Sequence, residues 1–142
     1  MTAVISSEPI VARLEKAGFL KVSGVLEWAG LKAAPAHSPA LFVITDRETA
    51  RPNEMIGIHD QRVATMIRIV SVLKPSVRID GGASQELEQH RIAVINALIG
   101  WKHPDASGAF DYAGGRLIAA DGWGVAWASD FTTAWRLRKG TS

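Results

Sequence analysis

The sequence predicts an α+β fold in a single domain: a mainly antiparallel or mixed sheet, with a helix from the C-terminal half and an N-terminal helix packed on it. Two stretches carry this reading. Ser84 to Trp101 puts Leu87, Arg91, Val94, Ile95 and Leu98 three and four residues apart, with Ile92 and Ile99 widening the stripe. That is the periodicity of a helix buried along one broad face. Phe110 to Arg138 is rich in β-branched and aromatic residues on both sides of Asp121-Gly122. An Asp-Gly pair tolerates the positive φ angles of a type I′ turn, so this segment reads as two strands folded back on each other. A helix with one apolar stripe needs a sheet to lie on, and the hairpin supplies it.

Taken in order, the chain opens with a helix start at Ser6, Ser7, Glu8 and Pro9: a hydroxyl cap, an acid in the first turn, and a proline whose missing N–H costs nothing there. Ile10, Val11, Leu14 and Ala17 form its apolar face, and Gly18 stops it. Phe19 to Val22 reads as a short extended run and Ser23 to Leu31 as a short helical turn. Pro35 and Pro39 exclude regular pairing, which makes Ala33 to Pro39 a loop. Leu41 to Ile44 is a compact apolar run and hence a core strand.

Between Thr45 and Ile58 the residues Asp46, Arg47, Glu48, Arg51, Pro52, Asn53, Glu54 and Gly57 predict a polar loop of about a dozen residues, longer than the usual connection. His59 to Lys74 then reads as one long strand. Val63, Ile67, Ile69 and Leu73 take one parity, and Arg62, Ala64, Arg68 and Lys74 the other, while Met66, Val70 and Val72 make the second face partly apolar. A strand apolar on both faces at one end belongs in the middle of a sheet. Pro75 ends it, Asp80-Gly81-Gly82 turns the chain into the Ser84 helix, and Glu86 and Glu88 sit in that helix's first turn. Gly100 closes the helix, and Trp101 to Gly108 is a loop.

At 142 residues the chain is one ordinary domain, able to bury roughly two-thirds of its unfolded surface. Apolar residues at 47% and charged residues at 21% are globular proportions, and no apolar run approaches the ~20 residues of a spanning helix. The expectation is a soluble protein with no secretory leader, made in the cytoplasm. The absence of cysteine excludes a disulfide framework, thiol catalysis and cysteine metal sites. Net charge is +2 with opposite signs interspersed. The one basic cluster, Arg136, Arg138 and Lys139, reads as a solvated tail rather than a phosphate-binding patch.

No catalytic, cofactor-binding or metal-ligating residue is predicted. His37, His59, His90 and His103 lack ligand spacing, and no G-x-S-x-G elbow is present. Gly114-Gly115-Arg116 and Gly122-Trp123-Gly124 do not open helices as phosphate loops must, so they mark strand bulges or close backbone approach. Trp101, Trp123, Trp127 and Trp135 crowd the C-terminal third. They suit core and interface better than a sugar-stacking platform. These residues describe a catalytically silent domain with one long polar loop and an aromatic-rich hairpin, a pattern suited to assembly.

The order of Ser38-Pro39-Ala40-Leu41-Phe42-Val43-Ile44, Arg51-Pro52-Asn53, Gln61-Arg62-Val63, Ile95 to Trp101, and Tyr112 to Leu117 resembles the tail terminator proteins of long-tailed bacteriophages and related prophages, from about Ser38 to Trp135. The resemblance implies a structural virion protein at the head-proximal end of the tail. It would form a homo-hexameric ring that stops tube polymerisation and presents the surface for head joining. The implied partners are other copies of the chain, the tail tube protein and the head–tail connector protein. No membrane is involved, and DNA meets the protein only by passage through the ring lumen. No catalytic motif and no cofactor come with the family. On this reading Asp46, Arg47, Glu48, Arg51, Asn53 and Glu54, with the Ala33 to Pro39 loop, are expected to supply ring or tube contacts. Arg136, Arg138 and Lys139 are expected at an inter-subunit or connector-facing surface. The alternative is a small soluble adaptor whose tryptophan-rich hairpin binds a peptide or sugar.

Overall fold

A computed structural model describes residues 4–32, 35, 37–74, 82–121 and 124–140. The elements in chain order are α1 (Glu8–Lys16), β1 (Val22–Ser23), α2 (Val25–Ala29), β2 (Ala40–Ala50), β3 (Ile58–Leu73), α3 (Gly82–Leu98), β4 (Asp111–Asp121) and β5 (Gly124–Gly140). The strands form one five-stranded sheet in the order β1-β2-β3-β5-β4. β1 runs parallel to β2 and every other pair is antiparallel, so the sheet is mixed and the fold is α+β.

The parity pattern of β3 accounts for its central place. Val63, Ile67 and Ile69 point to one face, where they meet Leu41 and Val43 of β2, Phe131 and Trp135 of β5, Ile10 and Leu14 of α1, and Val94, Ala97 and Leu98 of α3. Val70 and Val72 point to the other face, where Ala40, Phe42 and Ala126 complete a smaller cluster under Trp28 and Leu31. Only the C-terminal half of β3 is sandwiched in this way.

α3 lies on the sheet as its periodicity requires, but the buried arc is rotated from the expected one. Ile92 and Ile99 are 57% and 41% exposed, while His90 and Ala97 are buried. At 3.6 residues per turn these two pairs occupy opposite flanks of the Val94–Leu98 stripe. α1 decides which flank is covered: Arg13 Nε donates to the Ala97 carbonyl at 2.9 Å, and Phe19, just past α1, meets the His90 ring edge-on at 5.5 Å. Burial without a compensating charge pushes the His90 pKa down to about 4. The helix also begins at Gly82 rather than Ser84, which moves Glu86 and Glu88 out of its first turn.

Several other expectations need correction. Ser7 makes no side-chain cap bond at the start of α1, and Ala17, at its C-cap, is exposed. Of Phe19 to Val22, only Val22 is in a strand. Most consequentially, Thr45 to Ala50 is not loop. β2 continues through a register shift between Thr45 and Arg47 and pairs Arg47 with Met66 through Ala50 with Val63. The long β3 offers these polar residues a partner along its N-terminal half, and that ladder outweighs their composition. The connection shrinks to residues 51–57.

The hairpin of β4 and β5 forms as expected, with Asp121 opposite Gly124. Gly122 and Trp123 lie outside the described residues, as do Ala33, Ala34, Ala36, Pro75, Asp80 and Gly81. Gly114 has φ +127° beside a register shift in β4, as a bulge glycine should. Its neighbour Gly115 leaves room for Tyr112 Oη and Trp127 Nε1, which stand 2.8 and 2.9 Å from where a Cβ would be.

Gly124 has φ +115°, and a Cβ there would lie 2.2 Å from the Leu73 carbonyl oxygen. Gly124→Ala is expected to cost about 3 kcal/mol or more, read as a lower urea midpoint with an unchanged slope. Gly108→Ala, which meets open space, should leave the midpoint in place.

Candidate functional site

Past the core, three strands run on, and among the described residues their outer ends have no layer above or below them. Thr45 to Ala50 of β2 are exposed, as are Ile58, His59 and Arg62 of β3 and Arg136, Arg138, Lys139 and Gly140 of β5. Pairing continues throughout: β5 stays in register with β3 from Val125–Leu73 to Gly140–Ile58. The result is a three-stranded arm closed by residues 51–57. Arg136, Arg138 and Lys139 are therefore part of a strand, not a solvated tail, because the N-terminal end of β3 reaches far enough to order them.

With little apolar burial available, polar contacts hold the arm. Arg136 clasps Asp60 through Nε to Oδ1 at 3.0 Å and Nη2 to Oδ2 at 2.9 Å, and Arg138 adds a 3.5 Å contact. The hydrogen bond from Arg136, with the nearby charges of Arg136 and Arg138, holds the Asp60 carboxyl below the usual aspartate range against a partial desolvation penalty. Nearer the core, Arg68 Nε and Nη2 bind Asp130 at 2.8 and 3.1 Å, and Nη1 reaches Asp46 at 3.5 Å. Asp130, helped by the Asp46 charge, raises the Arg68 pKa.

On the helix-bearing face, Trp135 Nε1 donates to Glu48 Oε2 at 2.9 Å and to Thr65 Oγ1 at 3.1 Å, and Thr65 Oγ1 donates to Glu48 at 3.2 Å. Both donors are buried, so the Glu48 carboxylate satisfies polar groups that would otherwise be stranded.

The connection at the tip is held just as closely. Arg51 N–H donates to the Arg62 carbonyl at 3.0 Å, and Gln61 Nε2 returns a bond to the Arg51 carbonyl at 2.8 Å. Asn53 Oδ1 accepts from the backbone N–H groups of Met55 and Asp60, at 3.2 and 3.0 Å, forming an Asx turn that pins residues 53–60. Gly57 supplies the positive φ of +84° that turns the chain back.

The two predicted groups, far apart in sequence, come together on this one arm. Within it they divide by what their side chains already do. Asp46, Glu48, Asn53, Arg136 and Arg138 are engaged in the arm's own contacts. Arg47, Arg51 and Glu54 point outward, with Arg51 and Glu54 lining a shallow cleft beside Asp60 and Arg62. Lys139 lines a second cleft with Asn53, Met55 and His59. The loop at Ser38 and Pro39 is not brought here; it lies at the far end of β2, where Ser38 Oγ accepts the Lys74 N–H. Sequence reasoning missed Asp60 and Arg62, whose roles depend on cross-strand register. It also missed the exposed Met55, Ile56 and Ile58, although two adjacent apolar residues in a polar loop are a visible signal.

Among the described residues the tryptophans do not form a ligand platform. Trp135 is buried, Trp101 stacks on Phe110 at 5.7 Å, and Trp127 lies under the Arg91 guanidinium at 3.8 Å from the ring centroid. Trp28 packs on Phe42, and Trp123 is outside the described residues. Among the described residues no group of three His, Asp or Glu side chains is placed to hold a metal ion, and no helix is long and apolar enough to cross a membrane. The arrangement offers outward charge, apolar side chains and open strand edges, which are means of holding another protein surface.

Residues 1–142 match the family model for the phage tail terminator protein. No curated protein matches the chain.

Asp60→Asn is expected to loosen the arm without melting the core. The amides of Arg51 and Met55 should exchange several-fold faster, while the melting temperature stays within about 2 °C. The same link sets a pH dependence. Because folding lowers the Asp60 pKa, its contribution is complete above the ordinary value of 3.8 and is lost as pH falls through the lower folded value. Arm amides in the natural protein should therefore lose protection at acid pH, and those of Asp60→Asn should not.

Proposed function

This chain belongs to the phage tail terminator family, and we propose that it caps the head-proximal end of the tail tube as a ring of six copies, halts addition of tube protein and offers its far face to the head–tail connector. The family is one of phage tail structural proteins, and the virion is where such a protein works. DNA would meet the ring only by passing through its lumen.

One structural observation supports closure into a ring: the sheet has two unlike open edges. Among the described residues β1 covers β2 only at Leu41 and Phe42, which leaves Val43 to Ala50 without a strand on the outer side, and β4, at the opposite edge, pairs only with β5. Contacts between unlike surfaces repeat head to tail until they close, whereas a self-complementary patch stops at two copies. The edge of β2 carries Arg47 and Glu48, charges that discourage indiscriminate strand pairing and leave selective contact possible. Arg47, Arg51, Glu54 and Lys139, on the arm beyond the core, then serve as contacts to a neighbouring copy, the tube or the connector. Among the described residues no observation favours the adaptor reading, since Trp28, Trp101, Trp127 and Trp135 are engaged in packing.

Tails assembled without this protein should carry overlong tubes in negative-stain images; tubes of normal length in its absence would overturn the reading. Arg51→Glu combined with Lys139→Glu should leave a folded protein whose capping is weaker by about threefold to tenfold, and the wild-type advantage should shrink as salt rises. Equal capping by this variant at low salt would remove these two residues from the contact surface.

A further inference from the structure

The tip of the arm is apolar. Ile56 is 97% exposed, Met55 51% and Ile58 44%. Scattered surface apolar residues are ordinary, but these three are gathered at the end of an arm whose other outward groups are charged. They are also presented in a fixed shape by the Asn53 side chain, the Arg51–Arg62 bond and the turn at Gly57. A preformed apolar projection loses little conformational freedom when it docks.

A complementary surface lies elsewhere on the same molecule. Val11 of α1, Val22 of β1, and Val25 and Leu26 of α2 line a cleft of about 430 Å³, and among the described residues its charged lining is Glu8 and Glu27. Leu26 is 81% exposed and Val25 50%. The charges complement one another in balance: the clefts on either side of Met55 carry Arg51, Arg62, Arg136 and Lys139 against Glu54 and Asp60, an excess of positive charge to match Glu8 and Glu27. The tip cannot reach its own cleft. β2 pairs with β1 at Leu41 and Phe42 and runs on to Ala50, so at ~3.3 Å per residue the tip stands about 30 Å away.

We propose that the Met55-Ile56 tip of one copy docks in the cleft between α1, β1 and α2 of the next, with Arg51 and Lys139 facing Glu27 and Glu8. The proposal rests on the ring reading and names the contact that would link successive copies. A projection on one surface and a cleft on another make a head-to-tail joint, the kind that repeats around a closed circle.

The natural absence of cysteine allows a clean test. Ile56→Cys, carrying a single benzophenone label, is assembled onto tails and illuminated, and Leu26→Cys with the same label is the reciprocal. The expected product has twice the 15.3 kDa mass of one chain. Mass spectrometry should place the attachment within residues 8–27 for the first label and 51–59 for the second. Attachment to the tube protein, attachment elsewhere on this chain, or no product from either label overturns the proposal. Imaging and copy number on the same tails separate it from the reading beneath it: several copies per tail end without the expected attachment leave the ring standing, and a single copy per end removes both. Unlabelled Ile56→Asp and Leu26→Asp, both at exposed positions, should each need about tenfold more protein to cap the same tails. Capping at the wild-type concentration by both would also overturn it.

Discussion

The structure depends on the length of β3 and on the unequal surroundings of its two halves. Sixteen residues are far more than one small core can cover. From Val63 onward α1 and α3 cover one face of the strand, and from Val70 the Trp28–Leu31 segment covers the other. Before Val63 it continues with β5 on one side and residues 51–57 on the other. The first part of this arrangement is a hydrophobic core of ordinary kind, and the second is an arm held by backbone pairing and polar side-chain contacts.

Different forces therefore act at the two ends. Burial of Ile67, Ile69, Phe131, Val94 and Leu98 stabilises the body in proportion to the area withdrawn from water. The arm has little such area, and exposed ion pairs contribute little singly. It compensates with a connected set: Asp60 with two arginines, Arg68 with two aspartates, Glu48 with Trp135 and Thr65, and Asn53 with three backbone groups. The Trp135–Glu48 bond joins the regimes, because it ties a core side chain to a carboxylate on the arm. Such a construction is stiff enough to present a surface and poorly enough covered to gain from a partner. That balance is what a protein that functions by assembly needs.

Membership of the tail terminator family gives these features a common purpose. In the ring proposed above, subunits would join sideways without offering the tube another copy of the tube's own end. Open edges of unlike composition and an arm projecting beyond the core would serve the proposed ring as lateral joints without symmetry between the two faces of the sheet. The aromatic residues then fall into place as packing: Trp101 on Phe110, Trp28 on Phe42, and Trp127 beneath Arg91.

Strong local periodicity was enough to read the α3 stripe at Val94 and Leu98, the Asp-Gly hairpin, the central position of β3 and the stop at Gly18, since each is encoded by residues within a few positions of one another. The ordered motifs from Ser38 to Trp135 likewise pointed to the family that the whole chain matches. Tertiary structure alone decided the rest. Thr45 to Ala50 is polar and unpatterned, and it became strand because β3 extends alongside it; the hairpin was expected to reach Arg138, but only the register with β3 set its basic end beside Asp60. Ile92 and Ile99 stayed exposed because α1 took the other flank of α3. A β-strand is completed by its neighbour and a helix face by what covers it, so the assembly arm could be recognised only once partners distant in the chain had been brought together.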